Sequence, residues 1–349
     1  MTRHRSAALA ILLSFLGVAV VSAQAVQPPY DSSYTVTDLG AVPGLPAPYG
    51  GLTFLPSNSN TIVIGGAANN VSGALYSIGV VRGAGSHITG FTGSVAAYSE
   101  GQYNDGGVVF GPGGVLFYTR YPVNQVGEVK PGSVVNDKIV ELTPLGISSS
   151  VGALNFVPAG FPGAGQLKIV SYNTGDWYTA TYTSDGTGTF NITSPVLNTT
   201  INVGPEGFVY VPPGSPVFPS GTSLLVSEYG NNVVATYQVD GSGNPIPASR
   251  AVFVSGLTGA EGAVIDPVTG DFLFSTFGAA NHVIAVRGFA IPNTPTPGAG
   301  ATATPTPTRT QTPIVSGVPA VVPTLSLPML VLLGVMLAGG AFWMIARRS

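Results

Sequence analysis

Short apolar stretches, bounded by Gly, Asn, Asp and Pro, follow one another through the middle of the chain. They are rich in Val, Ile, Thr, Tyr and Phe, which favour strands, and none shows the spacing of an amphipathic helix. Two longer apolar runs, at residues 7–21 and 325–346, lie outside this pattern. The pattern predicts an all-β body between two apolar segments of a different kind.

One unit of the strand pattern recurs about every fifty residues. Each copy begins with an apolar strand that ends at a proline, and a second strand, a third strand and a weaker fourth strand follow. The fifth copy lacks a fourth strand, and the segment 34–39 precedes the first copy without a partner, so we expect 34–39 to complete the last unit. The five prolines are Pro56, Pro112, Pro158, Pro212 and Pro267.

Four-stranded units in tandem indicate a β-propeller, because a small sheet buries both faces only by stacking on neighbours around an axis. The repeats predict five blades, with six as the alternative if a long connection contains a degenerate blade. The first strand of each blade would line the axis, where glycines allow close approach of the backbones. Two stacked β-sandwiches would explain the strands but not the five aligned prolines.

The apolar run near the N-terminus has the layout of a secretory signal. Two arginines precede it, and Ser22-Ala23-Gln24-Ala25 then offers small residues at the positions that a signal peptidase reads. We expect residues 1–25 to be a signal peptide, cleaved after Ala23 or Ala25, and residues 26–290 to form the propeller. A retained N-terminal anchor is the alternative.

The C-terminal part of the chain predicts a membrane anchor. Residues 325–346 form an uncharged apolar stretch of roughly 22 residues, long enough to cross a bilayer as a helix. Arg347 and Arg348 follow and would remain in the cytoplasm, so that the body faces outward. The Thr/Pro-rich segment 291–323 cannot form a core and predicts an extended stalk. We therefore expect an exported protein held at the cell surface or in the cell envelope.

The segment 324–349 also resembles a known kind of sorting tail. Val322-Pro323-Thr324-Leu325-Ser326, followed by the apolar stretch and a basic end, is similar to the IPTL-CTERM tails of exosortase-type systems. Val322 stands where that pattern has Ile, and Leu327-Pro328 stands where an acidic residue and Trp usually follow. The resemblance implies a membrane-bound processing enzyme of the exosortase type as a partner, with the tail either removed or kept as a permanent anchor.

Charge and cysteine content narrow the functions open to the body. Residues 26–290 contain seven basic and fifteen acidic residues, which disfavours nucleic acid as a partner. The chain contains no cysteine, which excludes disulfides, thiolate metal sites and a cysteine nucleophile. Neither a phosphate-binding loop nor a Gly-x-Ser-x-Gly motif occurs, so nucleotide use and serine hydrolysis are not expected.

Three acidic residues stand at or next to the same place in their repeats, at the start of the strand expected on the axis. Glu206 and Glu261 occupy equivalent positions, and Asp105 lies one place earlier in its own repeat. Carboxylates that converge repel one another unless a cation or a proton lies between them. Oxygen-rich surroundings without cysteine suit Ca²⁺ better than zinc. The alternative, which general experience favours, is that these carboxylates accept backbone hydrogen bonds and lock the blades together.

The turns between the second and third strands would surround the same mouth of the propeller with amides, a guanidinium and aromatic rings. Such a rim could bind a sugar or a peptide, although Asn is also the residue that tight turns demand. The candidate rim residues are Asn70, Arg120, Tyr121, Asn173, Trp177, Tyr229, Asn231 and Asn281.

The repeats resemble those of NHL-like and gluconolactonase-like propellers. Gly204-Pro205-Glu206-Gly207 and Glu261-Gly262, each followed by an apolar strand and a proline, carry the resemblance. It implies that Glu206 and Glu261 help to hold a divalent ion, as a Glu at this point of a blade does in the gluconolactonase group. The chain departs from that group because glycines fill the equivalent place in three repeats and no matching loop offers a histidine base.

Three functions follow from these observations. The preferred one is a non-catalytic, surface-anchored binding module for a glycan, a matrix component or a partner protein. The alternatives are a divalent-metal-dependent lactonase or esterase resembling the gluconolactonase group, and a structural component of the cell envelope. Replacement of Glu206 by Gln would be tolerated in the first case and would abolish activity in the second.

Overall fold

The computed structural model describes residues 24–201, 204–278 and 280–292. In these residues 21 strands form five sheets. The sheets are the five blades of a β-propeller, so the prediction of five blades is confirmed and the alternative of six is wrong. Six 3₁₀ turns connect the strands, at Tyr30–Ser32, Ala84–Ser86, Pro112–Gly114, Thr143–Leu145, Tyr229–Asn231 and Pro247–Ser249.

Each of the first four blades runs in chain order from the axis outward, with antiparallel neighbours. Blade 1 contains β3 (Tyr49–Leu55), β4 (Asn58–Gly66), β5 (Ala74–Arg82) and β6 (Ile88–Glu100). Blade 2 contains β7 (Asn104–Phe110), β8 (Leu116–Arg120), β9 (Gln125–Val129) and β10 (Lys138–Glu141). Blade 3 contains β11 (Val151–Phe156), β12 (Leu167–Ser171), β13 (Asp176–Ser184) and β14 (Phe190–Thr200).

The last two blades each include a strand from the N-terminal part of the body. Blade 4 contains β15 (Pro205–Tyr210), β16 (Ser223–Glu228), β17 (Val233–Gln238) and β18 (Ala251–Ser255), with β1 (Ala25–Val26) outside β18. Blade 5 contains β19 (Ala260–Ile265), β20 (Phe272–Thr276), β21 (Val283–Arg287) and, as its outermost strand, β2 (Thr35–Asp38).

Strand β2 closes the ring. It pairs antiparallel with β21, so that Thr35 lies opposite Arg287 and Asp38 opposite Ile284. The prediction that the segment 34–39 completes the last unit is therefore confirmed. Strand β1 was not predicted, because two residues are too few to show a pattern.

The apolar side chains pack between neighbouring blades. The described residues form five clusters, and each cluster joins the facing sides of two adjacent blades. Side chains alternate along a strand, so Phe272 and Phe274 face blade 4 while Leu273 between them faces blade 1. Because both faces of each blade are buried, the central strands read as continuous apolar runs in the sequence.

Glycines allow the five innermost strands to meet around the axis. A Cβ atom added to Gly51 would lie 2.5 Å from the carbonyl oxygen of Gly106, and one added to Gly262 would lie 2.6 Å from the Cα of Gly51. A Cβ atom on Gly207 would lie 2.5 Å from the backbone nitrogen of Ala263. Backbone therefore fills the axis at this level, and the mouth of the propeller above it is a closed-ended pocket.

The predicted segments at the two ends fall outside the described residues. These are residues 1–23 of the predicted signal peptide, nearly all of the predicted stalk at 291–323, and the tail 324–349 with its apolar stretch 325–346. Within the described ranges, no helix is long and apolar enough to cross a membrane. The signal peptide, the stalk, the membrane helix and the sorting tail stay predictions.

Candidate functional site

Three buried carboxyl groups meet on the axis. Asp105 comes from β7, Glu206 from β15 and Glu261 from β19. One oxygen of each lies within 4.8 Å of the others, and the three residues are 1%, 3% and 1% exposed. The convergence that the repeat positions suggested is thus present. We call these three residues the axial triad.

Local irregularities at the start of the innermost strands bring the triad together. The pairing register shifts between Asn104 and Val108 in β7, between Pro205 and Phe208 in β15, and between Ala260 and Ala263 in β19. Each acidic residue lies within such a shift, where the regular alternation of side chains is broken. Glycines leave room for them, since a Cβ atom on Gly106 would lie 2.6 Å from Glu206 Oε2.

No basic side chain among the described residues forms an ion pair with the triad. When the side-chain amide of Asn69 is oriented with its nitrogen towards the nearby acceptors, it donates a hydrogen bond of 2.9 Å to Asp105 Oδ1. Asp105 Oδ2, Glu206 Oε2 and Glu261 Oε1 receive no hydrogen bond from a protein donor. The triad therefore has three buried oxygen atoms whose partners must be protons or a bound group.

Burial and mutual repulsion disfavour the charged forms of these acids. Burial raises the pKa of Asp105 to about 8. Burial first, and the charge of Asp105 second, raise the pKa values of Glu206 and Glu261 well above their ordinary range. Without a bound cation, the triad therefore carries protons at neutral pH.

A cavity of about 320 Å³ at the mouth of the propeller opens onto two members of the triad, Glu206 and Glu261. Asn69 lines it as well, and four aromatic side chains form the rest of the wall: Tyr121, Tyr172, Tyr229 and Phe277. Successive rings stand edge to face, with centroid distances of 5.6, 5.9 and 5.8 Å. We call these four residues the aromatic collar.

The collar follows the repeat. In blades 2 to 5, the collar residue is the first residue after the second strand, which ends at Arg120, Ser171, Glu228 and Thr276. In blade 1 the same place after β4 is held by Ala67, so the collar is open on that side. Tyr172 and Phe277 were not predicted, although alignment of the residue after each second strand would have found both.

The collar tyrosines stay neutral because they are partly buried and lie near the triad. Burial first, and the charge of Glu206 second, raise the pKa of Tyr172 to about 12. The pKa values of Tyr121 and Tyr229 are raised by burial and then by charges of the triad. The collar therefore offers ring faces and phenol hydroxyls, not phenolates.

Two of the predicted rim residues are buried in the blades instead. Trp177 has no exposed surface and packs on Phe208 between blades 3 and 4, with the ring centroids 4.4 Å apart, so its placement at the rim is wrong. It is the second residue of β13, where alternation turns its side chain into the core. Arg120 is 6% exposed; its Nε donates to the carbonyl of Gln102 at 3.0 Å, and its guanidinium lies over the ring of Tyr103.

The predicted asparagines are found in turns near the mouth and do not line the cavity. Asn70 accepts hydrogen bonds from the backbone and side chain of Ser72, and Asn173 is exposed. Asn231 donates to Glu228, and Asn281 accepts from the backbone of Tyr49. Tyr121 and Tyr229 are the predicted rim residues that the structure places in the wall of the cavity.

No model of a known protein family and no curated protein matches this chain. Among solved structures, an auxiliary nutrient binding protein from Bacteroides thetaiotaomicron is 11% identical over 72% of this chain and 76% of that one, with a TM-score of 0.41. A calcium structure of a Trichoderma reesei protein of carbohydrate-active enzymes family AA12 is 10% identical over 76% and 97%, with a TM-score of 0.44. The PQQ-bound aldose sugar dehydrogenase of Streptomyces coelicolor is 13% identical over 72% and 84%, with a TM-score of 0.36. Likenesses of this extent say nothing about what this chain binds.

Proposed function

We propose that the chain is an exported, surface-anchored binding module without catalytic activity, which holds a small ligand or the end of a larger one in the cavity above the axial triad. The larger ligand would be a glycan, a matrix component or a protein. The observation that carries the proposal is a cavity with an aromatic wall that is lined by Glu206 and Glu261, each of which has a buried oxygen that lacks a donor. Aromatic rings and a few convergent polar groups are typical of ligand pockets.

The chemistry of the lining favours binding over turnover. Its residues are tyrosines, a phenylalanine, an asparagine and two glutamates, with no serine, histidine or lysine among them. The raised pKa values of the tyrosines keep them from acting as nucleophiles at neutral pH. The lining can stack on a ligand and exchange hydrogen bonds with it, which are the interactions that a binding module needs.

The second candidate is a divalent-metal-dependent lactonase or esterase, favoured by the grouping of three carboxyl oxygens within 4.8 Å. Asp105, Glu206 and Glu261 fit Ca²⁺, since carboxylate oxygens are its preferred ligands and three of theirs lack partners. Such an ion would polarise a carbonyl group of the substrate. The hydrolysis would also need a base to activate water, and apart from the two glutamates that would hold the ion, the lining contains no carboxylate and no histidine.

The proposed location is supported by the sequence of the two ends. A signal peptide at 1–25 would export the chain, and a stalk at 291–323 would hold the body away from the membrane helix 325–346. An exosortase-type enzyme would be the partner that processes the tail. Fractionation of cells that express the chain with a tag inside the exposed turn at Gly113 tests this, since recovery of the tag in the cytosol contradicts it.

The experiment that separates the two candidates is a pair of measurements on the full-length chain in detergent. The thermal midpoint is recorded with Ca²⁺ and with EDTA, and lactones and esters are screened for turnover. The binding module predicts no turnover in either buffer and a midpoint raised by ligands of the cavity. A ligand at about a hundred times its dissociation constant stabilises the fold by about 2.7 kcal/mol.

A Ca²⁺-dependent midpoint together with turnover that Glu206→Gln abolishes would replace the binding module by the hydrolase. Tyr172→Leu is the second variant, because it alters the collar and leaves the triad in place. Ligand binding that survives Tyr172→Leu unchanged would show that the ligand lies elsewhere on the body.

A further inference from the structure

The carboxyl oxygens of the triad lie close enough together to share one ligand group. Asp105, Glu206 and Glu261 each contribute one oxygen that receives no hydrogen bond, and oxygens of the three side chains lie within 4.8 Å of one another. Since no two of these oxygens are more than 4.8 Å apart, a point exists that is no more than about 2.8 Å from one oxygen of each carboxyl group, within the donor–acceptor distance of a hydrogen bond from an ionised N–H group. A single group with three donors could therefore reach all three carboxyl groups.

A primary ammonium group has this arrangement of donors. It carries three N–H donors, no acceptor and one positive charge. The positive charge would also stabilise the ionised carboxylates of the triad, which has no cationic partner among the described residues. The body as a whole is acidic, which favours a cationic ligand. A hydroxyl group brings one donor and no charge, so the triad would have to keep its own protons.

The collar suits the carbon chain that such a group carries. Four aromatic side chains surround the cavity above the carboxyl groups. Aromatic ring faces attract a cation within about 6 Å and bury methylene groups favourably. The cavity, at about 320 Å³, has room for a chain of several methylenes. On the side of blade 1 the wall holds Asn69 and no aromatic ring, and the remainder of the ligand would extend on that side.

We infer that the cavity binds a primary ammonium group, with its three N–H donors on the axial triad and its unbranched carbon chain inside the aromatic collar. This rests on the proposed function and gives the binding module a class of ligand. Free alkyl amines and the lysine side chain of a polypeptide share this chemistry. A Ca²⁺ ion differs, because it takes six to eight oxygen ligands and gains nothing from the rings.

Calorimetry on the full-length chain in detergent tests the inference with a matched set of probes. Pentylamine carries the charge and the donors, pentyltrimethylammonium carries the charge without donors, and 1-pentanol carries neither the charge nor three donors. We expect pentylamine to bind at least about tenfold more tightly than either of the others, because hydrogen bonds to ionised groups are the strong ones. Equal affinity for pentylamine and 1-pentanol would overturn the inference.

Variants locate the binding. Glu206→Gln/Glu261→Gln and Tyr172→Leu are each expected to weaken pentylamine binding by about tenfold or more. Tyr182→Leu is the matched control, since Tyr182 packs in the outer part of blade 3, and it should keep the affinity of the parent chain. A loss of binding in Tyr182→Leu equal to that in Tyr172→Leu would contradict the assignment to the collar.

Further probes distinguish a free amine from a polypeptide lysine as the ligand. They also show whether a negative result contradicts only the inference or the binding module as well. Nα-acetyl-lysine amide that binds more tightly than pentylamine indicates a polypeptide lysine as the natural ligand, and the reverse indicates a free amine; both support the inference. A sugar or neutral peptide that binds and loses its binding in Tyr172→Leu, with no response to amines, would overturn the inference and leave the binding module standing. Ca²⁺-dependent turnover without amine binding would overturn both.

Discussion

Two groups of buried acidic residues in this propeller differ in what accompanies them. Near the closure of the ring, Asp266 has no exposed side-chain surface and receives two hydrogen bonds from the guanidinium of Arg82, at 2.6 and 2.9 Å. In blade 4 the fully buried Glu228 pairs with Arg250 and accepts a hydrogen bond from Tyr237. The axial triad is equally buried and has no such partner.

The presence or absence of a cationic partner distinguishes acids that stabilise the fold from acids that are candidates for binding a ligand. Arg82 extends from blade 1 to Asp266 of blade 5, so that pair joins the first and the last blade of the ring. A buried carboxylate is costly unless it is paired, and at the closure the protein supplies the pair itself. At the axis it does not, and the missing partner has to come from protons or from a ligand. The unpaired triad is therefore where we propose that a ligand binds, whereas the Arg82–Asp266 pair joins two blades.

The largest effect is expected from removal of the cation at the closure. Arg82→Met leaves Asp266 buried without its partner and should lower the free energy of unfolding by about 3–5 kcal/mol. Lys130→Met is the matched control, since Lys130 pairs with Asp137 at the surface and should cost no more than about 1 kcal/mol. Urea unfolding of the full-length chain in detergent measures both. Equal losses would contradict a special role of the closure pair.

Removal of carboxyl groups from the triad should raise stability, whereas removal of Arg82 lowers it. Because Asp105, Glu206 and Glu261 have raised pKa values in the folded state, the folded state holds more protons than the unfolded state between pH 4 and 8. The free energy of unfolding of the unliganded protein therefore falls as the pH rises through this range. Glu206→Gln/Glu261→Gln removes two of these groups and should raise stability at pH 8 by about 1–2 kcal/mol.

The control for this prediction is the slope of stability against pH that other buried acids should leave in the variant. Burial also raises the pKa of Glu128, to about 7, and the pKa of Asp271. These two groups and Asp105 should leave a smaller slope of the same sign in the Glu206→Gln/Glu261→Gln variant. Thermal midpoints recorded from pH 4 to 8 give both slopes. Identical slopes for the parent and the variant would show that the triad is not the source of the proton uptake.

The collar should matter less for the fold than the Arg82–Asp266 pair does. Tyr172 makes edge contacts with Tyr121 and Tyr229, and such aromatic pairs contribute about 0.5–1.5 kcal/mol each. Tyr172→Leu removes both pairs, keeps an apolar side chain and should lower the free energy of unfolding by about 1–3 kcal/mol. Denaturant unfolding checks this beside the binding experiments. A loss as large as that of Arg82→Met would make the collar part of the structural frame.

The sequence allowed the fold and the triad to be predicted for the same reason. Five repeats ending in proline identify the blades, and comparison of repeats places Glu206 and Glu261 at one level of the axis. Asp105 is offset by one residue and reaches them through the irregular start of β7, which no sequence pattern reveals. Trp177 was predicted at the rim because it follows the turn between the second and third strands of its repeat, but it lies within β13 on the face that packs against blade 4, and the sequence pattern did not show which face that is.

The smallest effect concerns the gap in the collar. Ala67 has a φ of 47°, in the left-handed region that residues with a Cβ atom avoid. Ala67→Gly should relieve this strain and, after the entropic cost of glycine in the unfolded chain, raise stability by about 0.5 kcal/mol. Affinity for pentylamine should not change, because Ala67 brings no ring and no charge to the cavity. Calorimetry on this variant therefore tests the gap directly, and a loss of affinity would mean that the methyl group of Ala67 is a wall of the site, with the way out for the ligand on another side.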